Sequence, residues 1–173
     1  MKFILITACC LITINCVAQE VNLDQLRLPD GFSISVYADV ENPRQLALGS
    51  NNTVFVGNLR GRVYAVIDSN GDGTAEQVNT IAEGLNSPNG VAYYEGDLYI
   101  GEINRISKIR DINSKLKTLN QTETLNDSLP NRRHHGFKFL QVGPDGKMYL
   151  PVGAPCNVCE EEEIFATLLN MDL

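Results

Sequence analysis

Short runs of alternating apolar and polar residues cover most of the chain, and Gly, Asn and Asp separate them. Alternation with a period of two is typical of β-strands that bury one face, whereas stretches with a helical period are scarce. The first run is GFSISVYADV, in which Phe32, Ile34 and Val36 alternate with serines and a tyrosine. The pattern predicts an all-β protein whose first strand covers residues 32–38.

Three later stretches can be superimposed on one another. They begin at Pro43, Pro88 and His135. Each contains an apolar strand, a polar turn and a second strand of the type VFVG, LYIG or MYLP. The second strands begin near Val54, Leu98 and Met148, so the repeat recurs after 44 and then 50 residues. A repeat of this length indicates a repeated supersecondary unit.

Third strands follow from Gly61, Asn104 and Glu163, and fourth strands are predicted near residues 76–84 and 115–125. Four short antiparallel strands in each repeat are typical of a β-propeller blade, whose first strand lines the central channel. The chain then holds just over two and a half blades, and residues 32–38 have no partner strand. We therefore expect the N-terminal part of a larger propeller, with a small closed barrel as the alternative.

The N-terminus has the features of a secretory signal peptide. Lys2 precedes an apolar run over residues 3–14, and Cys16, Val17 and Ala18 form a small-residue cleavage site. We therefore predict a signal peptide over residues 1–18, a mature chain over residues 19–173, and a periplasmic or secreted location. A lipoprotein attached at Cys9 is the less favoured alternative, because the apolar stretch before it is short.

Removal of this peptide leaves Cys156 and Cys159 as the only cysteines. Exported proteins meet an oxidising compartment, which favours a disulfide between these two residues. Zinc binding by this pair with His134 and His135 is disfavoured, because adjacent side chains of an extended chain point to opposite sides. Haem attachment is disfavoured as well, because Glu160 stands where that motif needs histidine.

The mature chain would carry 13 basic and 21 acidic residues, a net charge of −8. Such a charge gives no support for nucleic acid or anionic membranes as partners. No other apolar run is long enough to span a membrane. The segment DSNGDG, which begins at Asp68, matches the start of a calcium loop, but the twelfth position is Asn79 instead of glutamate. We favour a hairpin turn over a metal site there.

One basic segment stands out in this acidic chain. Residues 131–138 contain Arg132, Arg133, His134, His135 and Lys138. Superposition of the repeats places His135 at the start of an inner strand, at the channel mouth. Arg44 takes the equivalent position in the first blade. Such a cluster could hold an anionic cofactor, and histidine can exchange a proton near neutral pH. A solvated loop beside a structural histidine explains the segment equally well.

The stretch LPNRRHHGFKFLQVGPDGKMYLPVGAPCNVC resembles the glucose/sorbosone dehydrogenase family of pyrroloquinoline quinone (PQQ) enzymes, above all its sorbosone and pyranose dehydrogenase branch. The likeness covers residues 26–173. It implies a six-bladed propeller of the soluble quinoprotein type, of which about the first half is present. In that family a histidine eight residues before the glycine of the Gly-Pro-Asp turn is the general base, which corresponds here to His135. Ala154 replaces an aspartate that supports this histidine in the soluble glucose dehydrogenases.

The resemblance implies PQQ and calcium as cofactors, with the calcium ligands and most quinone contacts in later blades. Arg44 and Arg132 are the candidate contributors to PQQ binding in this part. The implied partners are a sugar substrate and an electron acceptor such as a cytochrome or quinone. Two alternatives remain open: a propeller that binds a partner without catalysis, and a calcium-dependent hydrolase similar to lactonases.

Overall fold

The computed structural model describes residues 22–160 and 162–173, so the predicted signal peptide lies outside the described residues. The chain divides into two compact units, Met1–Ser35 and Val36–Leu173. Helix in the described residues is limited to two short 3₁₀ turns, Leu23–Gln25 and Ile112–Ser114. The rest of the regular structure is antiparallel β-sheet. The predicted all-β class is confirmed.

The predicted strand over residues 32–38 is wrong. Within the first unit, the described residues form the turn Leu23–Gln25 and a second turn closed by a hydrogen bond from the Phe32 N–H to the Pro29 carbonyl (3.2 Å). Phe32 and Val36 are 71% and 50% exposed, and no strand is assigned over residues 32–38. An alternating sequence becomes a strand only where a neighbouring strand supplies hydrogen bonds. Among the described residues no strand pairs with this segment, and the Tyr37 carbonyl accepts instead from the Ala75 N–H in a loop (2.9 Å).

Two complete four-stranded sheets account for the first two repeats. The first contains β1 (Pro43–Leu48), β2 (Thr53–Asn58), β3 (Val63–Ile67) and β4 (Gln77–Ala82), in that order. The second contains β5 (Gly90–Tyr94), β6 (Asp97–Gly101), β7 (Ile106–Ile109) and β8 (Glu123–Asn126). The turn between β5 and β6 uses Glu95 and Gly96 at φ 47° and 89°, the left-handed conformation of a two-residue hairpin.

The third sheet has three strands in the described residues. They are β9 (Gln141–Val142), β10 (Met148–Val152) and β11 (Thr167–Met171), in the order β11-β10-β9. The inner strand predicted from His135 is thus reduced to two residues. The stretch before it bonds instead to side-chain amides of the other blades: Asn89 donates to the Lys138 carbonyl (2.7 Å), and Gln45 donates to the Leu140 carbonyl (2.6 Å).

The apolar core lies between successive sheets. One cluster joins the first two sheets through residues such as Phe55, Val91 and Ile100. A second cluster joins the second and third sheets through residues such as Tyr99, Leu140 and Met148. Each blade therefore buries its faces against its neighbours, as the repeat predicted.

Candidate functional site

The chain places the predicted basic segment at one defined edge of the sheets. Pro43 at the start of β1 pairs with Asn58 at the end of β2, and Gly90 pairs with Gly101 in the next blade. The loops after the second strands and the connections into the first strands therefore share one edge. We call it the entry edge, formed by residues 59–62, 83–89 and 131–136. In a propeller, this is the kind of edge where inner strands open onto the channel.

His135 is exposed at the entry edge and is held in a defined orientation. Its backbone lies in the left-handed region (φ 51°), in a turn closed by a hydrogen bond from the Gly136 N–H to the Arg133 carbonyl (3.1 Å). The imidazole Nδ1 lies 2.9 Å from the carbonyl oxygen of Ala154. A carbonyl can only accept, so Nδ1 is the donor, and in the neutral imidazole Nε2 then keeps its lone pair.

Ala154 stands where the soluble glucose dehydrogenases have a supporting aspartate. The alanine side chain cannot support an imidazole, but the Ala154 backbone carbonyl does so. Gly153 makes the approach possible, because a Cβ at that position would meet the His135 carbonyl oxygen and lie 2.9 Å from the His135 Cβ. Sequence reasoning could not identify this support, since any residue at position 154 has a carbonyl.

The expected divergence of the two histidines is wrong. The ring centroids of His134 and His135 lie 4.0 Å apart, with 47° between the ring planes. The prediction assumed an extended chain, whereas these residues form a turn in which His135 is left-handed. The two imidazoles therefore share one exposed surface.

The basic segment divides into exposed and buried parts. Arg132, Arg133 and both histidines are exposed, whereas Lys138 is buried and does not belong to the surface cluster, contrary to expectation. Among the described residues, neither Arg132 nor Arg44 forms a hydrogen bond with the His135 imidazole. Arg44 is exposed and donates to the Pro43 carbonyl (3.1 Å).

Two further arginines at the entry edge were missed by sequence reasoning. Arg60 and Arg62 line an open cleft of about 480 Å³ together with Glu83, Ser87 and Arg133. Both also pair with Glu41, at 2.8 Å and 3.3 Å. The sequence signal that could have identified them is the NLRGR stretch, which follows the second strand of the first blade. Superposition of the blades places this stretch at the entry edge. The entry edge thus has a surplus of guanidinium groups suited to an anionic ligand.

The DSNGDG segment begins the connection over residues 68–76 that joins β3 and β4 as an antiparallel hairpin, at the opposite edge of the first sheet. The connection is longer than the tight turn that was predicted. The buried Asp68 carboxylate accepts hydrogen bonds from the backbone N–H groups of Gly71 (2.6 Å) and Gly73 (3.0 Å). Carboxylate oxygens of Asp68, Asp72 and Glu76 lie within 4.8 Å of one another. Asp72 and Glu76 are exposed, and both Asp68 oxygens already accept backbone N–H groups, so this convergence by itself does not define a metal site.

The loop after β10 is closed by a disulfide between Cys156 and Cys159, whose Cα atoms are 6.0 Å apart. This arrangement joins the two residues that the sequence singled out. The loop also contains Ala154, whose carbonyl supports His135 and which lies two residues before Cys156. The cross-link therefore restricts the chain next to the residue that contacts the candidate base.

A family model described as a domain of unknown function, DUF7133, matches residues 18–167. The chain belongs to the DUF7133 family. An uncharacterised protein of Borreliella burgdorferi is 24% identical to this DUF7133 chain over 183 residues, which cover 99% of the chain and 47% of the relative. The chain thus spans about half the length of the curated relative that it matches.

Solved structures similar to the DUF7133 chain include a putative oxidoreductase (glucose dehydrogenase) of Thermus thermophilus, with a TM-score of 0.59 and 20% sequence identity. The match covers 79% of this chain and 45% of the Thermus chain. The PQQ-bound aldose sugar dehydrogenase of Streptomyces coelicolor has a TM-score of 0.58, 15% identity, and coverage of 80% and 47%. A gluconolactonase of Xanthomonas campestris has a TM-score of 0.55, 17% identity, and coverage of 75% and 40%. These likenesses confirm the β-propeller fold.

The described residues of the DUF7133 chain fit part of a quinone site. PQQ carries several carboxylates, and the entry edge offers exposed guanidinium groups beside a histidine with a free Nε2. Calcium needs converging oxygen ligands. The acidic cluster of the first sheet lies at the opposite edge from His135, so it is not suited to bind calcium beside the quinone. No helix in the described residues is long and apolar enough to cross a membrane.

Proposed function

We propose that this chain forms the histidine-bearing part of a PQQ-dependent dehydrogenase that oxidises a sugar hydroxyl. The observation that carries the proposal is the orientation of His135: Nδ1 donates to the Ala154 carbonyl, which leaves Nε2 free at an exposed edge. The fold adds support, because similar solved structures include proteins described as sugar dehydrogenases. The likeness is distant, so the activity itself rests on the site.

In this mechanism Nε2 of His135 accepts the proton of the sugar hydroxyl as the C–H bond is broken. Bound PQQ would supply the two-electron acceptor for the hydride. The imidazolium that forms is stabilised by its Nδ1–H bond to the Ala154 carbonyl, which also prevents rotation of the ring. A general base placed in this way contributes about 10²- to 10⁴-fold to the rate.

The entry edge would bind the anionic cofactor through its arginines. Arg44 and Arg132 remain candidate contributors to PQQ binding, and Arg60, Arg62 and Arg133 add cations at the entry edge. Calcium ligands are expected in blades outside this sequence. We further propose export to the periplasm or medium and transfer of electrons to a cytochrome or quinone.

The test uses the complete open reading frame that contains this sequence, loaded with PQQ and calcium, with sugars as substrates and a redox dye as acceptor. We expect His135→Gln to lower kcat by about 10²-fold or more. His134→Gln is the matched control, because it removes a neighbouring imidazole that has no recorded bond to Ala154, and it should change kcat only a few-fold. Equal effects of the two changes would contradict the proposal.

A lactonase-like hydrolase is the second candidate, because a gluconolactonase is among the similar structures. That chemistry needs carboxylates that converge on a metal at the channel. The converging carboxylates of Asp68, Asp72 and Glu76 belong to the connection between β3 and β4, at the edge opposite His135. A propeller that binds without catalysis is the third candidate, and His135→Gln would leave its affinity almost unchanged.

A further inference from the structure

Lys138 is a buried cation that the proposed chemistry does not use. Its relative exposure is 1%, and its surroundings include Leu140 and the space left by Gly101, where a Cβ would lie 3.0 Å from the Lys138 Cβ. Within the described chain, no carboxylate forms an ion pair with its ammonium group. Burial lowers the pKa of Lys138, because the charged form loses its hydration.

A lysine in this position is a poor choice for stability alone. An amine buried without an acidic partner carries a desolvation cost, and an apolar side chain of similar length would avoid it. Methionine has nearly the same shape and no charge. The retained amine therefore points to a role other than filling space.

Among the residues that the structure describes, the Lys138 Nζ donates one hydrogen bond, to the carbonyl oxygen of Gly136 at 2.7 Å. Gly136 directly follows His135 and closes the turn through its N–H. It has no room for a side chain, because a Cβ would collide with the Arg132 carbonyl oxygen. The lysine thus fixes the Gly136–Phe137 peptide, directly after the residue that closes the turn at His135. The Ala154 carbonyl fixes the imidazole itself.

We propose that Lys138 is a positioning residue that holds His135 in its left-handed turn, so that Nδ1 stays bonded to Ala154 and Nε2 stays free. Without the Nζ bond, the Gly136–Phe137 peptide can turn its carbonyl towards water. The hydrogen bond from the Gly136 N–H to the Arg133 carbonyl is then no longer held in place, and His135 can leave its φ of 51°. The importance of this positioning for catalysis rests on the proposed function. The positioning itself can be measured without any activity.

The experiment is ¹⁵N NMR of the imidazoles in the chain of 173 residues, which contains only two histidines. His134→Gln provides a background in which the remaining signal belongs to His135. In that background we expect Lys138→Met to convert a single Nδ1–H tautomer into a mixture, and to raise the exchange rate of that proton with water at least tenfold. The melting temperature should be unchanged or higher.

Lys115→Met is the matched control, because Lys115 also donates to a backbone carbonyl, that of Arg110 (2.6 Å), but on an exposed part of the second sheet. It should leave the His135 signal unchanged. The proposal is overturned if the single Nδ1–H tautomer persists in Lys138→Met, whether the melting temperature falls, rises or stays the same. Unfolding of both Lys138→Met and Lys138→Leu would also overturn it, because the lysine would then be a folding requirement. Failure of the dehydrogenase assay alone would reject the function and leave the positioning result intact.

Discussion

Replacement of Gly153 by alanine tests the geometry that supports the candidate base. The residue follows β10, and its missing side chain lets the strand end approach His135. An alanine Cβ would collide with the His135 carbonyl oxygen, and would lie 2.9 Å from the His135 Cβ and 3.2 Å from its carbonyl carbon. All three atoms belong to the backbone or its first side-chain atom, so no flexible side chain can move aside. The turn over residues 133–136 or the end of β10 must shift instead.

The size of the effect follows from these contacts. Overpacking in a site that cannot repack costs about 1 to 3 kcal/mol. For a chain of this size, about 1 kcal/mol corresponds to roughly 2 to 4 °C in melting temperature, so we expect Gly153→Ala to lower it by about 2 to 12 °C. A displacement of about 1 Å at the reacting group can lower kcat by about 10²-fold. Activity should therefore fall by more than the loss of folded protein explains.

Two measurements separate these effects. Thermal unfolding followed by circular dichroism gives the stability, and ¹⁵N NMR of His135 shows whether Nδ1 still donates to Ala154. Gly73→Ala is the control, because Gly73 has a positive φ of 87° and nothing within 4 Å of an added Cβ. It should cost about 1 kcal/mol through backbone strain and leave the His135 signal in place. A Gly153→Ala protein with unchanged stability and an unchanged His135 signal would refute the packing argument.

Two further predictions concern stability. Burial raises the pKa of Asp97, but hydrogen bonds from the Asp111 N–H (2.9 Å) and the Lys108 ammonium (3.0 Å) outweigh it and leave the pKa below its usual value. A carboxylate with a depressed pKa stabilises the fold above its ordinary pKa of about 4, and this contribution is lost as the pH falls further. Asp97→Asn should therefore lower the free energy of unfolding in urea by about 1 to 2 kcal/mol at pH 7 and by much less at pH 3. An equal loss at both pH values would contradict the assignment. Replacement of Cys156 and Cys159 by serine should lower the free energy of unfolding by about 2 kcal/mol, the chain-entropy value for so short a loop. Dithiothreitol should cause the same loss of stability in the unchanged protein and no loss in the variant.

Much of the fold could be predicted because each blade repeats a local pattern. The second strands begin at Thr53, Asp97 and Met148, within one residue of the predicted positions. Alternating apolar residues and Asn-Gly or Asp-Gly turns are local signals that survive without knowledge of the tertiary structure. Residues 32–38 carry the same signal and form no strand, because pairing depends on a neighbour that the sequence pattern does not specify.

The candidate site could be predicted only in part. His135 was identified from its position in the repeat and from the family resemblance. The sequence pattern did not predict three features of this residue: its left-handed backbone, its hydrogen bond to Ala154 and its proximity to His134. They depend on contacts between residues distant in sequence, or on backbone atoms that every residue has. The same holds for the shortened inner strand of the third blade, which is bonded by the side-chain amides of Asn89 and Gln45.

The clearest departure from the pattern lies beside the site. In the sequence FKFL, from Phe137 to Leu140, alternation predicts that the phenylalanines face the core and the lysine faces water. The structure has the reverse: Phe137 and Phe139 are 42% and 51% exposed, whereas Lys138 and Leu140 are 1% exposed. Leu140 sets this register, because it packs in the core between the second and third sheets. Exposure of two aromatic rings and burial of an amine both oppose stability, and departures of this kind are expected where function constrains the sequence. Here they lie within five residues of His135, on the segment that enters the third blade.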